Sequence, residues 1–206
     1  QDFPAKTANS QQTISTCKYF VRNKYKVTLF FPLRSKDSNE NIDVLKKQYE
    51  FSEENFNVIG IPHKTKFEGS NIFKKVRYLT SHILWSFQAV NKVTSEYENP
   101  LIYFTRSDWV FYFLSKRDIS VLYECHKLTG IRKKLILSSI KKDGSKIIFM
   151  NEALKNAANI APQYSKKILV QTAGYDEDFF YSSNNKISQQ VIYSGSLERL
   201  GSSRNL

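Results

Sequence analysis

The chain has 206 residues, 41% hydrophobic and 24% charged, a balance that excludes a disordered chain and allows one large domain or one domain and part of another. A formal net charge of +12 calls for an acidic partner (nucleic acid, an anionic lipid surface or a phosphorylated substrate) unless it serves only solubility. Cys17 and Cys125 stand far apart without metal-ligand spacing, as free buried thiols of a reducing compartment would, and no apolar run reaches membrane-spanning length.

The opening Gln1-Asp2-Phe3-Pro4 has neither Met nor a signal-peptide pattern and reads as trimmed. Residues 2–10 form a loop into a helix that Asn9 or Ser10 can cap, with Ile14, Cys17 and Val21 on one face. Residues 25–31 are a strand stopped by Pro32. Loop, helix and strand in that order imply a strand before Gln1, missing here or present only as a stub. Residues 42–49 are a short helix with Val44 and Leu45 inward, and 56–61 a strand stopped by Pro62. After a basic loop a long helix runs from about 71 to 93. Its apolar stripe is Ile72, Val76, Leu79, Ile83, Phe87 and Val90. Strand 101–104 follows, then a helix capped by Ser107 or Asp108 and carrying Trp109, Val110, Phe113 and Leu114.

The central strand begins at Ile119 and ends on Tyr123-Glu124-Cys125-His126. Its body is apolar, as expected where helices cover both faces of a parallel sheet. Beyond it come helix 131–142 with a basic outer face, strand 146–150, helix 152–160 broken by Pro162, and strand 168–170. A polar linker at 182–189 then leads to a new strand at 190–193. Strands alternating with helices predict an α/β domain with a doubly wound, Rossmann-like parallel sheet. The expected sheet includes 27–31, 58–61, 101–104, 120–123, 147–149 and 168–170.

Ligands of open α/β sheets bind beyond the carboxyl ends of the strands, which directs attention to Arg106 and to Glu124 with His126. Glu124 and His126 are two apart and share a strand face. Together they can bind a sugar hydroxyl or relay a proton; equally, they can be an internal pair. Arg106 can meet a phosphate or end in a surface ion pair. His63 and His82 read as ordinary loop and helix residues. No glycine-rich dinucleotide fingerprint, P-loop, nucleophile elbow or paired-histidine metal motif is present in the sequence. Lys64, Lys66, Lys74, Lys75 and Arg77 crowd the start of the long helix and suit an anionic membrane surface.

Three ordered segments resemble the N-terminal half of GT-B glycosyltransferases of the family 4-like retaining group. They are residues 101–106 leading to 120–126, residues 147–156 (Ile-Ile-Phe-Met-Asn-Glu-Ala-Leu-Lys-Asn), and residues 168–180 with Gly174-Tyr175-Asp176 and Phe180. Residues 191–197 resemble the first strand of that family's donor-binding domain. The resemblance implies an acceptor-side domain at 1–181, a linker at 182–189 and the start of a donor-binding domain at 190–206. It implies transfer of a sugar from a nucleotide-sugar co-substrate to a glycan or lipid-linked acceptor, with retention, no cofactor and no metal. His126 matches the family's cleft histidine and is the expected catalytic residue. Glu124, Arg106, Lys6, Thr7, Gly174 and Gly195 are expected to line the cleft. Lys6 and Thr7 stand in a first loop that lacks the family's usual glycines, and Thr172-Ala173 replaces its usual Pro-Asn. Such an enzyme works in the cytoplasm, peripherally at the inner membrane face, in cell-envelope polysaccharide synthesis; the acceptor half alone is expected to be inactive. The competing readings are a non-enzymatic basic Rossmann-like module that binds nucleic acid, carried by net charge alone, and an inactive scaffold relative.

Overall fold

The computed structural model describes residues 8–34, 40–63, 72–97, 102–172 and 174. The chain divides into two compact units, Gln1–Ala173 and Gly174–Leu206, and of the second only Gly174 is described. The expected linker and the strand at 190–193 therefore lie outside the described residues.

The first unit is α/β. In chain order it holds α1 (Ala8–Arg22), β1 (Val27–Leu33), α2 (Ile42–Tyr49), β2 (Phe56–Pro62), α3 (Ile72–Glu96), β3 (Tyr103–Thr105) and α4 (Asp108–Ser115). These are followed by β4 (Val121–Cys125), α5 (Gly130–Ser139), β5 (Ser145–Phe149), α6 (Glu152–Ala158), a 3-10 helix (Pro162–Lys167) and β6 (Ile168–Val170). Every strand pairing among them is parallel.

The expected single sheet is replaced by two. β1 pairs with β2, and β3-β4-β5-β6 form a separate four-stranded sheet. Hydrogen-bonded strands must lie about 4.8 Å apart. The two sheets communicate instead through side chains of the helices. Phe20 of α1 meets Phe104 of β3 at 5.8 Å between ring centroids. Tyr97, after α3, packs its ring 5.7 Å from Phe30 of β1, and its carbonyl accepts a hydrogen bond from the Tyr103 hydroxyl at 3.0 Å.

Each sheet has its own core. Ile14, Leu45, Tyr49 and Phe56 fill the one beside β1 and β2. Phe111, Val121, Tyr123, Ile136, Ile147 and Phe149 fill the larger one around β4. Tyr123 stacks on Phe111 with centroids 4.8 Å apart. Local chemistry sets the element ends. Asn41, Ser107 and Asn151 cap α2, α4 and α6 by accepting backbone N–H bonds. Gly144 closes the turn before β5 against the start of β4: a Cβ there would lie 2.8 Å from the Ile119 carbonyl oxygen.

Several expectations shift. α1 starts at Ala8, so Asn9 and Ser10 lie within its first turn rather than capping it. Pro32 does not stop β1 but pairs within the ladder opposite Ile61, and β2 does end at Pro62, its last residue, which pairs with Leu33. Among the described strands β1 and β2 each have a neighbour on one side only, where a missing N–H is tolerated. Val44 is exposed, because the buried face of α2 carries Leu45 and Tyr49, four residues apart.

The largest departure is in α3. Of its expected core stripe only Val90 is buried; Ile72, Val76, Leu79 and Phe87 are exposed. Trp85, Ser86 and Ala89 turn inward instead. The Trp85 indole donates to the Ile61 carbonyl at 3.1 Å, and this bond, with apolar packing of Trp85 and Ala89 on Ile61, fixes the helix rotation.

Candidate functional site

The carboxyl ends of β3 and β4 bring together three of the expected residues. Thr105 pairs with Tyr123 in the ladder, which sets the next residue of β3's chain, Arg106, beside Glu124. Glu124 is buried although charged, and His126 Nε2 meets its Oε1 directly. Arg106 Nε lies 3.3 Å from that same oxygen. That contact is electrostatic rather than a directed hydrogen bond, since Nε satisfies no hydrogen-bond geometry.

The rest of the Arg106 guanidinium is held by α1. Its Nη1 and Nη2 donate to the Thr13 and Thr16 hydroxyls at 3.1 and 3.2 Å. Both hydroxyls donate in turn to carbonyls one turn back, those of Asn9 and Gln12. Their lone pairs are thereby left for the arginine. Arg106 thus positions Glu124, with its side chain only 17% exposed, where the sequence suggested a phosphate contact. Burial pushes the Glu124 carboxyl up, but the His126 bond and the Arg106 charge outweigh it and hold it below the usual range. An ionised Glu124 orients the imidazole through Nε2 and leaves Nδ1 for another partner. His126 is the most exposed of the three side chains, at 36%.

A second ion pair lies nearby in sequence: Arg132 of α5 approaches the buried Asp108 of α4 at 3.5 Å. The thiols are inert by contrast. Burial pushes Cys17 up to about 12, against a smaller effect of Arg106, and raises Cys125 as well.

Two histidines read as ordinary are not isolated. His63 follows β2, is buried, and lies 6.0–6.2 Å from the rings of Tyr78, His82 and Trp85. Tyr78, His82 and Trp85 form a near-parallel ladder on α3. Burial, followed by the charges of Arg34, His63 and Arg132, lowers His82 to about 4.

Lys74 and Arg77 are exposed on α3, and Lys75 belongs to the same helix. Gly174 is exposed in the second unit. Lys6, Thr7, Lys64, Lys66 and Gly195 lie outside the described residues. Thr13 and Thr16 were not anticipated; the available signal was their three-residue spacing on the helix that precedes β1. Among the described residues no group of three His, Cys, Asp or Glu side chains converges to hold a metal. A groove of about 580 Å³ between α6 and β6, lined by Asn156, Asn159, Pro162, Ser165 and Leu169 among others, shares no residue with the Arg106–Glu124–His126 cluster. No family model, curated protein or solved structure matches the chain.

Proposed function

We propose that this chain is the acceptor-side part of a retaining GT-B glycosyltransferase, and that Arg106, Glu124 and His126 form the polar floor of its cleft. The observation that carries the reading is the convergence of these three side chains at the carboxyl ends of adjacent parallel strands, the edge at which α/β sheets bind ligands. The all-parallel strands of its two sheets, β1-β2 and β3-β4-β5-β6, are consistent with a Rossmann-like fold.

Chemically, transfer with retention passes through an oxocarbenium-like state that needs fixed polar contacts more than a strong base. Glu124 orients His126, and His126 hydrogen-bonds a hydroxyl of the transferred sugar. Arg106 and the two threonines keep Glu124 ionised and in place. The nucleotide-sugar is a co-substrate, and the acceptor is a glycan or a lipid-linked glycan.

The test is an assay of the full-length protein against a panel of nucleotide-sugars, with nucleotide release and product anomer as readouts. Release with a retained anomeric configuration is the expected result. A folded full-length protein that neither binds nor turns over any of them, and instead binds duplex DNA with steep salt dependence, would reverse the assignment in favour of a nucleic-acid module.

A further inference from the structure

We infer that two copies of this chain pair through the outward faces of their α3 helices, laid antiparallel across a two-fold axis. This inference is independent of the chemistry at the strand ends. It starts from the rotation of α3. With Trp85, Ser86 and Ala89 turned to the core, the other side of the helix is left in solvent. Ile72 is 69% exposed, Val76 58%, Leu79 40% and Phe87 48%, with Ile83 half-buried among them. Phe73 and Leu84, both exposed, widen the face on one flank. At 3.6 residues per turn all seven fall within a sector of about 140°, and the strip from Ile72 to Phe87 is about 22 Å long. The cations of α3 lie off it. Lys74 and Lys92 share the side of Trp85, and Arg77 stands just outside the Leu84 flank. A continuous apolar strip on a folded surface marks an interface. A centre rich in aromatics and free of charge is the composition of a protein–protein contact.

Spacing selects the occupant. The positions Ile72, Val76, Leu79, Thr80, Ile83 and Phe87 are separated by 4, 3, 1, 3 and 4 residues, a series that reads the same in both directions. Such a face is complementary to itself turned end for end. Across a two-fold axis between residues 79 and 80, Ile72 meets Phe87 of the second copy, Val76 meets Ile83, and Leu79 meets Thr80. Each of these pairs then occurs twice, as an isologous contact requires. Thr80, the polar member, already donates its hydroxyl to the Val76 carbonyl at 3.0 Å, so the contact need not supply it with an acceptor. The antiparallel arrangement also sets the two helix dipoles in opposition. At roughly 100 Å² per apolar side chain, the face offers on the order of 600 Å² on each copy, and flanking polar atoms bring it toward the ~800 Å² per partner of a standard interface. Each copy carries a net charge of +12, so long-range repulsion opposes the pairing and added salt relieves it. An anionic partner would respond to salt in the opposite sense.

Sedimentation equilibrium of the 206-residue chain at low and high salt tests the inference. A dimer that tightens as salt is added is expected. Ile72→Lys and Phe87→Glu, made singly, each place an unpaired charge at both ends of the contact and should weaken it at least tenfold. Mixed in equal amounts, the two variants should recover the parent's affinity. The introduced lysine and glutamate then face each other at one end, while Ile72 and Phe87 remain at the other. Melting temperatures should stay near the parent's, since both side chains are exposed. Val76→Ser, an uncharged change at an exposed position, should also weaken the dimer and replaces either charge variant that fails to fold. A parent that is monomeric at about 100 µM in high salt would overturn the inference; retention of that monomer on anionic vesicles would assign the face to a lipid surface instead. A dimer that loosens with salt would overturn the apolar contact, and one that every variant leaves intact would overturn the face. Weakened variants that mixing does not rescue would overturn the antiparallel register.

Discussion

At the end of the four-stranded sheet a carboxylate, Glu124, stands between Arg106 and His126. Beyond the two-stranded sheet, burial disfavours a charge on His82, helped by the charges of Arg34, His63 and Arg132. The two histidines are of one chemical type, yet their surroundings differ. His126 bonds to the Glu124 carboxylate, and its ring remains partly open to solvent. The surroundings of His82 oppose protonation, and its ring is stacked between Tyr78 and Trp85. A histidine becomes a candidate for chemistry when a carboxylate orients it at a strand end, and a structural ring when burial, aromatic packing and cations on a helix hold it neutral.

The contrast breaks most severely if Arg106 is removed. In Arg106→Leu the buried Glu124 keeps only His126, and the Thr13 and Thr16 hydroxyls lose their donors. Breaking one side of a buried ion pair costs about 3 kcal/mol or more, and urea unfolding should show a loss of that size. The exposed Lys142–Asp118 pair, at 3.1 Å, supplies the control: Lys142→Ala should cost less than about 1 kcal/mol. Equal losses in the two variants would mean that the Arg106 network is no more than a surface pair.

His126→Ala isolates the chemical side of the comparison. If the proposed sugar transfer holds, it should lower kcat roughly 10²-fold, the loss of one oriented transition-state contact. The melting temperature should barely move, because the ring fills little of the core. A normal kcat with a clearly lowered melting temperature would place His126 with His82 as a structural ring.

Much of this was legible in the sequence. Ser107 announces a helix start by its side chain. The change from apolar Val121 and Leu122 to Glu124 and His126 marks a strand ending in polar chemistry. The rest depended on long-range geometry. α3 offers two faces, one of branched aliphatics and one of Tyr78, His82, Trp85 and Ala89, and only a partner carbonyl at Ile61 decides between them. Thr13 and Thr16 look like solvent-facing residues of an amphipathic helix until Arg106, distant in sequence, reaches them. The division into two sheets has no local signature, because each strand's composition is the same whether its neighbour is present or not. His63 and His82 meet only because β2 and α3 pack together.

Acid sensitivity sharpens the contrast further. His82 has an ordinary value of 6.5 unfolded and about 4 folded. Between these limits the unfolded chain binds more protons, so stability falls as pH drops from 6.5 toward 4, by up to about 3 kcal/mol. His82→Phe keeps a ring in the stack and removes the titration. It also removes Nδ1, which is buried without a hydrogen-bond partner among the described residues. Unfolding curves at pH 7 and pH 4.5 should therefore differ less for the variant than for the parent. An unchanged difference would show that His82 titrates as it does in water.

Glu124→Gln gives the smallest effect and acts in a different pH window. The native carboxyl is held below its ordinary 4.5, so the folded state resists protonation where the unfolded chain accepts it. Its stabilising contribution is complete above 4.5 and disappears as pH falls through the lower folded value. Burial works against the His126 bond and the Arg106 charge. Glutamine has the same shape but cannot ionise. The variant should be somewhat less stable than the parent at pH 7, where it leaves Arg106 without a countercharge, and the gap should narrow below pH 4.5. The His82 effect lies above about pH 4 and the Glu124 effect below 4.5, so a double variant, Glu124→Gln with His82→Phe, should flatten both limbs additively if the two clusters are independent. A clear departure from additivity would mean that the two clusters are electrostatically one site, and the distinction between an oriented histidine and a structural one would then fail.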